Sequence, residues 1–314
     1  LASIGTGVVW NALPFIAKQF YGFSEIENFS LYLLAGVVYV IGALSSGKAT
    51  SLLNQYISSR AIILLLLLIQ AVICALPLGF DESWVIWITA GIASFCSAWL
   101  WPLVESYLVA GRYGAEMRKT IGWWNIVWML SASTAMFSMA PFMEEHASLI
   151  IVGLGSAYAI AIMILPWYPN NPAEHDIEES NESVPNSYIS LRSGARVLLP
   201  LSYILNGVLA PILPFVLSRI DIDIYWQMPL AAIWMFSRVF VVFAMWQIAS
   251  WHGRWSVLWL AMIAMGLGFG TVLLSNSILF LVVGLAIFGL GMGATYYVAM
   301  YYAMSVGRAK VDPG

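Results

Sequence analysis

The sequence predicts an all-α integral membrane protein, and three observations carry this prediction. Apolar residues make up 61% of the 314 residues and charged residues only 9%, whereas soluble domains carry roughly 25% charged residues. The mean hydropathy is +0.85. The apolar residues form long unbroken runs such as 61–76, which lack the alternation of barrel strands. Because a backbone in lipid must satisfy its own hydrogen bonds, the sequence predicts a bundle of transmembrane helices.

Ten stretches of the chain are apolar and long enough to cross a bilayer, which takes about 20 residues. Short polar loops separate most of them, and one longer polar loop follows the sixth. We therefore predict about ten transmembrane helices. Their approximate bounds are 1–17, 27–46, 60–79, 84–108, 121–141, 147–166, 196–218, 225–249, 255–274 and 278–303.

The basic residues of the loops predict the orientation of the bundle. A cytoplasmic N-terminus would place ten Lys and Arg residues in inner loops and two in outer loops, which is the asymmetry that the positive-inside rule describes. We therefore expect a multi-pass protein of the plasma membrane with its N-terminus in the cytoplasm. The inner residues are Lys48, Arg60, Arg112, Arg118, Lys119, Arg192, Arg196, Arg254, Arg308 and Lys310, and the outer residues are Lys18 and Arg219.

A polar, proline-containing segment spans residues 167–195 and carries five acidic residues between 174 and 182. This composition is typical of a linker that builds no packed core of its own. We therefore predict an acidic cytoplasmic linker at 167–195. It separates an N-terminal six-helix bundle at 1–166, whose first helix looks clipped, from four further helices at 196–314.

Two short repeats indicate how the helices are grouped. The triplet Leu-Pro-Phe at 13–15 recurs at 213–215, and the pair Gly-Arg at 111–112 recurs at 307–308. These offsets of 200 and 196 residues favour two six-helix halves related by duplication. A five-plus-five bundle of the drug/metabolite transporter type would repeat near ~150 residues, and it stays open as the alternative.

Several motifs of the chain resemble one family. They are the stretch 101–105 (Trp-Pro-Leu-Val-Glu), the basic pair at 118–119, the stretch 122–125 (Gly-Trp-Trp-Asn) and the loop 251–255 (Trp-His-Gly-Arg-Trp). These motifs are similar to permeases of the major facilitator superfamily, in a poorly characterised bacterial subgroup. The resemblance implies a six-plus-six helix bundle in a bacterial inner membrane, here lacking the last two spans. It also implies a secondary active transporter that moves a small solute by alternating access.

The chain departs from the pattern of that family in three places, and one of them is the fourth span, which lacks the usual arginine. Ser51 stands four residues after Gly47, where the loop between the second and third spans usually carries an aspartate. The Gly-Pro-rich motif that drug/proton antiporters carry in the fifth span is absent from the sequence. The resemblance therefore supports the fold and a permease function, and it does not support drug antiport.

One basic residue lies deep within a predicted span. Arg238 is about 13 residues into the eighth stretch, which is close to the bilayer centre at about 1.5 Å per residue. An ionisable residue at that depth is costly and indicates a functional site. We interpret Arg238 as a substrate-cavity residue that attracts an anionic group. The structural alternative is a buried ion pair, or a cation stacked on Trp234.

Glu105 is the only carboxylate in the interior of a predicted span, and it lies near the cytoplasmic end of the fourth. A carboxylate whose protonation responds to solvent access can couple transport to protons. Alternatively, Glu105 pairs with Arg112 or Arg118 as a cytoplasmic gate. The sequence leaves these two roles open.

Further candidates for the cavity wall are uncharged. Amide side chains inside spans either bind substrate or hold helices together, and aromatic residues of the fourth and tenth spans would line the cavity in the family that the chain resembles. The set is Asn11, Asn125, Asn206, Gln247, Trp101, Tyr296 and Tyr297. In addition, the glycine pairs 266/270 and 289/293 have the spacing of close helix packing.

Other classes of function lack support in the sequence. There is no cluster of His, Asp or Glu at predicted helix ends, so we expect no enzyme. The histidines and cysteines lack the spacing of metal ligands, and no Walker-type loop is present. We therefore expect no metal, cofactor, nucleotide or nucleic acid as a partner. The expected partners are the lipid bilayer and a small-molecule substrate, and a non-transporting membrane sensor is the remaining alternative.

Overall fold

A computed structural model describes residues 2–112, 114–173, 186–248 and 250–306. Within these ranges every regular element is a helix. The α-helices are α1 (Ala2–Gly7), α2 (Leu13–Gln19), α3 (Glu25–Leu53), α4 (Ser59–Ile73), α5 (Trp84–Val109), α6 (Gly114–Met139), α7 (Ala147–Ile164), α8 (Asn186–Arg219), α9 (Ile224–Ala231), α10 (Ile233–Gln247), α11 (Ser256–Leu273) and α12 (Ile278–Val306). A π-helix at Val8–Ala12 joins α1 to α2, and 3₁₀ turns at Leu76–Leu78, Ala140–Phe142 and Leu165–Trp167 follow α4, α6 and α7.

Eight helical segments in the described part of the chain are long and apolar enough to cross a membrane. They coincide with eight of the predicted stretches, and this confirms the prediction of an all-α membrane protein. The other two predicted spans are 1–17 and 121–141. The first falls on the interrupted run of α1, π-helix and α2, and the second falls on α6. The predicted count of ten spans is therefore not confirmed.

The helices begin where polar side chains can satisfy the free backbone N–H groups of a first turn. At the start of α3, the Ser24 hydroxyl accepts from the Glu27 N–H, and the Glu27 carboxylate accepts from the Ser24 N–H at 2.7 Å. This reciprocal pair is a capping box. Ser58 caps α4 by accepting from the Ala61 N–H, and Asp223 caps α9 by accepting from the Tyr225 N–H, which fixes where each helix leaves the loop before it.

The first part of the predicted linker is bound to the N-terminal helices. Arg60 Nη1 donates to the Tyr168 carbonyl at 2.9 Å, and the Tyr107 hydroxyl donates to the Asn170 carbonyl at 3.0 Å. The segment thus rests on the start of α4 and the end of α5. The acidic stretch 174–185 lies outside the described residues, and α8 already begins at Asn186. The last ten residues of the predicted linker are therefore helical.

The helices pack into two groups that follow the chain. In the first group α5 packs against α3 and α4, α7 packs against α4, and α6 packs against α1. In the second group α12 packs against α8, α10 and α11. The first group holds α1 to α7 and the second holds α8 to α12, and we call them the N-half and the C-half. The start of the linker lies at one end of the bundle, the linker end, and we call the opposite end the far end.

Glycines allow the closest approaches within the C-half. A Cβ atom on Gly289 would lie 2.0 Å from the Trp234 carbonyl oxygen, and one on Gly293 would lie 2.8 Å from the Arg238 carbonyl oxygen. The pair 289/293 therefore brings α12 against the backbone of α10, as its spacing predicts. The prediction for the pair 266/270 is wrong, because no neighbouring atom lies within 4 Å of a Cβ there; Gly268 faces Phe288 instead.

Candidate functional site

The two halves are joined at the far end by directional hydrogen bonds. Lys18 Nζ, at the end of α2, donates to the Pro214 carbonyl of α8 at 2.8 Å and also to the Ser218 hydroxyl. Asn28 Nδ2, at the start of α3, donates to the Pro14 carbonyl at 3.0 Å and to the Pro211 carbonyl at 3.5 Å. The two repeated Leu-Pro-Phe triplets thus meet across the interface, and the far end is closed.

Two pairs of long helices join the halves: α3 packs against α8, and α6 packs against α10. We call the α6–α10 contact the seam. Phe137 packs on Phe236 at 5.5 Å toward the far end, and Trp123 packs on Trp246 at 5.7 Å toward the linker end, measured between ring centroids. On the other side of the interface, α5 and α12 do not pack closely within the residues that the structure describes. We call this loosely packed side of the interface, between α5 and α12, the cleft.

Arg238 lies at mid-depth beside this cleft. It is the fifteenth of 24 residues in the span Ile224–Gln247, and only 2% of its surface is exposed. Its Cζ atom is 4.6 Å from the ring centroid of Tyr296 on α12 and 5.0 Å from that of Trp128 on α6. Both rings therefore hold the cation by their π faces. The sequence suggested Trp234 for this contact.

The guanidinium group of Arg238 keeps unsatisfied donors. Its Nε and Nη2 atoms are buried and have no hydrogen-bond acceptor among the described residues. No described carboxylate lies within ion-pair distance of it either, since the described ion pairs involve only Arg112 and His146. The alternative of a buried ion pair at Arg238 therefore gains no support from this structure.

Glu105 faces the same cleft from α5. It is half-buried, and it lies within range of electrostatic interaction with Tyr296 across the cleft. It forms no ion pair with a described basic side chain. Arg112 is instead 3.6 Å from Glu116 and donates to the Leu108 carbonyl. The side chain of Arg118 lies outside the described residues. Of the two predicted gate partners of Glu105, only Arg112 is therefore described, and it contacts Glu116 and Leu108 instead.

Asn11 of the π-helix and Asn206 of α8 lie close together. Asn11 sits in the π-helix, just before Pro14, whose missing N–H disturbs the regular ladder of the preceding turn. Both amides line a small cavity between the halves, large enough for about one water molecule. Its lining residues are Asn11, Phe15, Met136, Asn206, Leu209, Ala210, Leu213, Ala231 and Trp234.

The remaining predicted wall residues are scattered. Asn125 is buried and donates to the Ile121 carbonyl of its own helix at 2.9 Å, and Gln247 is exposed at the end of α10. Tyr297 packs against Trp251 at 5.8 Å, in an aromatic cluster at the linker end. These three side chains do not join Arg238 in the described contacts.

Two tryptophans of the site were missed by the sequence reasoning. Trp124 and Trp128 are four residues apart on α6 and share one face. Trp128 contacts Arg238, and Trp124 packs against the predicted residue Trp101 at 6.0 Å. The spacing of four could have indicated a common face, but nothing in the sequence shows that this face meets α10.

A helical membrane bundle in two halves, with a cation and amides at mid-depth between them, has the architecture of a membrane solute transporter. The sequence model of the Major Facilitator Superfamily matches residues 1–311, and the chain belongs to that family. This match supports the six-plus-six grouping over the five-plus-five alternative, and it identifies the protein as a permease of that family. No match was found among the curated proteins.

Solved structures agree with the fold. A mutant of the nucleoside transporter NupG superposes with a TM-score of 0.69 at 13% identity, covering 97% of this chain and 84% of that one. Unmodified NupG superposes with a TM-score of 0.65 at 12% identity, covering 99% of this chain and 82% of that one. A third structure is a bacterial homologue of the human lysosomal transporter Spinster, in an inward-facing and occupied conformation. It superposes with a TM-score of 0.63 at 14% identity, covering 99% of this chain and 77% of that one. At these identities the likeness shows the fold alone.

Proposed function

We propose that the protein is a secondary active transporter that moves a small solute by alternating access, with Glu105 as its proton-coupling residue. The observation that carries this proposal is the asymmetry of the interface between the halves. Polar groups lie at mid-depth, hydrogen bonds between the halves close the far end, and α5 and α12 do not pack closely in the described residues. A site that is reached from one end only is what alternating access requires in each of its two states.

The contact pattern supports a rocking motion. The α6–α10 seam consists of ring-on-ring contacts, which tolerate small rotations. At the far end, Lys18 and Asn28 join the halves by hydrogen bonds to carbonyl oxygens of α8, which can break together. Rotation about the seam would open the far end while α5 and α12 approach each other.

Three features favour Glu105 as the proton site rather than as a gate. It is half-buried at the mouth of the cleft, it has no described cationic partner, and Arg112 is occupied by Glu116. Closure of the linker end would bury this carboxylate further, and burial favours the protonated form. Opening to water would release the proton. Solvent access and proton binding would thus be linked at one side chain.

The test is uptake into proteoliposomes that contain the purified protein. We would screen labelled small solutes with and without an imposed pH gradient. We expect gradient-driven accumulation in the unmodified protein, and in Glu105→Gln we expect facilitated exchange that no longer responds to the gradient. Glu116→Gln serves as the control, because it removes an exposed carboxylate at the same end.

Three outcomes would count against parts of this proposal. Accumulation that does not depend on the pH gradient would rule out proton coupling. Full coupling in Glu105→Gln would rule out Glu105 as the proton-binding residue. Solute binding without any uptake would favour a membrane sensor over a transporter.

A further inference from the structure

The edge of the Arg238 guanidinium points to the chemical class of the solute. We propose that the site binds a small organic carboxylate, held side-on by Nε and Nη2 of Arg238, with an apolar body against the tryptophans of α6. This inference rests on the proposed transport function and specifies its substrate class.

The first argument concerns charge. Arg238 is 2% exposed at mid-depth in the membrane, and no described carboxylate lies within ion-pair distance of it. A buried, uncompensated cation is strongly unfavourable, and the two aromatic rings offset only part of that cost. An anion that enters the cleft would supply the missing charge. A neutral or cationic solute would leave the cost in place or increase it.

The second argument concerns geometry. The two atoms without an acceptor are Nε and Nη2. These atoms lie on the same edge of the planar group, and their N–H bonds point in nearly the same direction. An arginine edge of this kind matches the two oxygens of a carboxylate, with two parallel hydrogen bonds. A single acceptor would satisfy one donor and leave the other buried and unpaired, which is costly.

The third argument concerns the surroundings of that edge. Trp128 of the N-half and Tyr296 of the C-half contact the guanidinium, and Trp124, one turn from Trp128 on α6, packs against Trp101. All four rings are only partly buried. Such a wall offers flat apolar surface and few hydrogen-bond partners. It suits a planar or aliphatic body better than a polyhydroxylated one, whose hydroxyls would lose water without replacement.

Arg238 is almost fully buried in the present conformation. Trp128 belongs to the N-half, whereas Arg238 and Tyr296 belong to the C-half, so a shift of α6 relative to α10 would open space beside the guanidinium. The anion would then neutralise Arg238, and a proton would neutralise Glu105. The occluded cleft would carry no net charge from these two groups.

The experiment measures equilibrium binding of three probes to the purified protein by titration calorimetry. Benzoate carries both the carboxylate and a flat apolar body. Benzamide has the same shape without the charge, and acetate has the charge without the ring. We expect benzoate to bind most tightly and benzamide to bind at least roughly tenfold more weakly, since hydrogen bonds to charged groups are worth about one to two orders of magnitude in affinity.

Variants assign the effect to the arginine edge. We expect Arg238→Gln to lower benzoate affinity by roughly 30-fold or more, and Arg238→Lys by roughly tenfold, since lysine keeps the charge and lacks the two-donor edge. Arg254→Gln removes an exposed arginine at the linker end and should bind as the unmodified protein does. Trp124→Leu should weaken benzoate and leave acetate unchanged. Thermal unfolding of each variant reports whether it is folded.

Several results would overturn the inference. They are equal affinity for benzoate and benzamide, unchanged benzoate binding in folded Arg238→Gln, or phenyl phosphate binding more tightly than benzoate. If Arg238→Gln does not fold, the test is the ratio of benzoate affinity to benzamide affinity in the unmodified protein and in Arg238→Lys. Uptake of a neutral solute with no benzoate binding would overturn the carboxylate assignment and leave the transport function standing. Failure of every screened solute to be taken up would instead count against transport itself.

Discussion

The hydrogen bonds at the far end and the α6–α10 seam join the halves by different chemistry. At the far end, Lys18 and Asn28 of the N-half donate to the Pro214 and Pro211 carbonyls of the C-half. Along the seam, the halves touch through aromatic rings, such as Trp123 on Trp246. Hydrogen bonds of fixed direction are either made or broken, whereas ring edges can slide by fractions of an ångström. The far end is therefore suited to act as a gate and the seam as a hinge.

The largest expected effect comes from fixing the far end covalently. In Lys18→Cys/Ser218→Cys, a short bifunctional methanethiosulfonate should join α2 to α8, because Lys18 Nζ already reaches the Ser218 hydroxyl. We expect uptake to fall by about tenfold or more, since the gate can no longer open, and to return after reduction. The native cysteines Cys74 and Cys96 are buried, and Lys18→Cys alone is the control. Undiminished uptake by the cross-linked protein would refute a gate at this end.

A smaller effect is expected from weakening the gate. Lys18→Ala removes a charged donor but leaves the Ser218 hydroxyl bonded to the Pro214 carbonyl at 2.9 Å. We expect the closed state to lose about 1.5 kcal/mol, which shifts the population roughly tenfold toward opening. The measurement is the labelling rate of Leu213→Cys, which lines the small cavity near the gate, by an impermeant maleimide.

Lys48→Ala is the matched control for that shift, because Lys48 is exposed on the linker-end part of α3. It should leave the labelling rate unchanged. Equal rates in Lys18→Ala and the unmodified protein would show that the Lys18 contacts do not hold the gate.

The smallest effect is expected at the seam. Trp246→Ala removes one ring pair across α6 and α10, and we expect about 1 kcal/mol of lost stability with uptake retained within about twofold. Thermal unfolding and uptake are measured together. Trp259→Ala is the control, because this ring is 57% exposed on α11. A loss of uptake as large as that of the cross-linked gate would contradict the distinction between hinge and gate.

The sequence predicted the features that depend on hydropathy and depth. The apolar runs predicted helices, and the position of Arg238 along its span predicted its mid-depth location. These follow from the length of a span and from the rise of a helix, which are local quantities.

Contacts between halves could not be predicted in the same way. Trp234 shares a helix face with Arg238, and this suggested a stacking partner. In the structure Trp234 lines the small cavity, and Trp128 arrives from α6 instead. Similarly, Gly266 and Gly270 have the spacing of a packing pair but face no other helix. Spacing tells which residues share a face, but it does not tell which partner that face meets.

The contact at Gly289 and Gly293 has a consequence for altering what the protein accepts. It ties α12 to the backbone of α10, so Arg238 and Tyr296 are carried on one rigid pair of helices. The tryptophans Trp124 and Trp128 are carried separately on α6. In the proposed site, preference for charge and preference for shape would thus lie on different helices. Substitutions on α6 would then change the size of the accepted molecule while its sign of charge stays fixed.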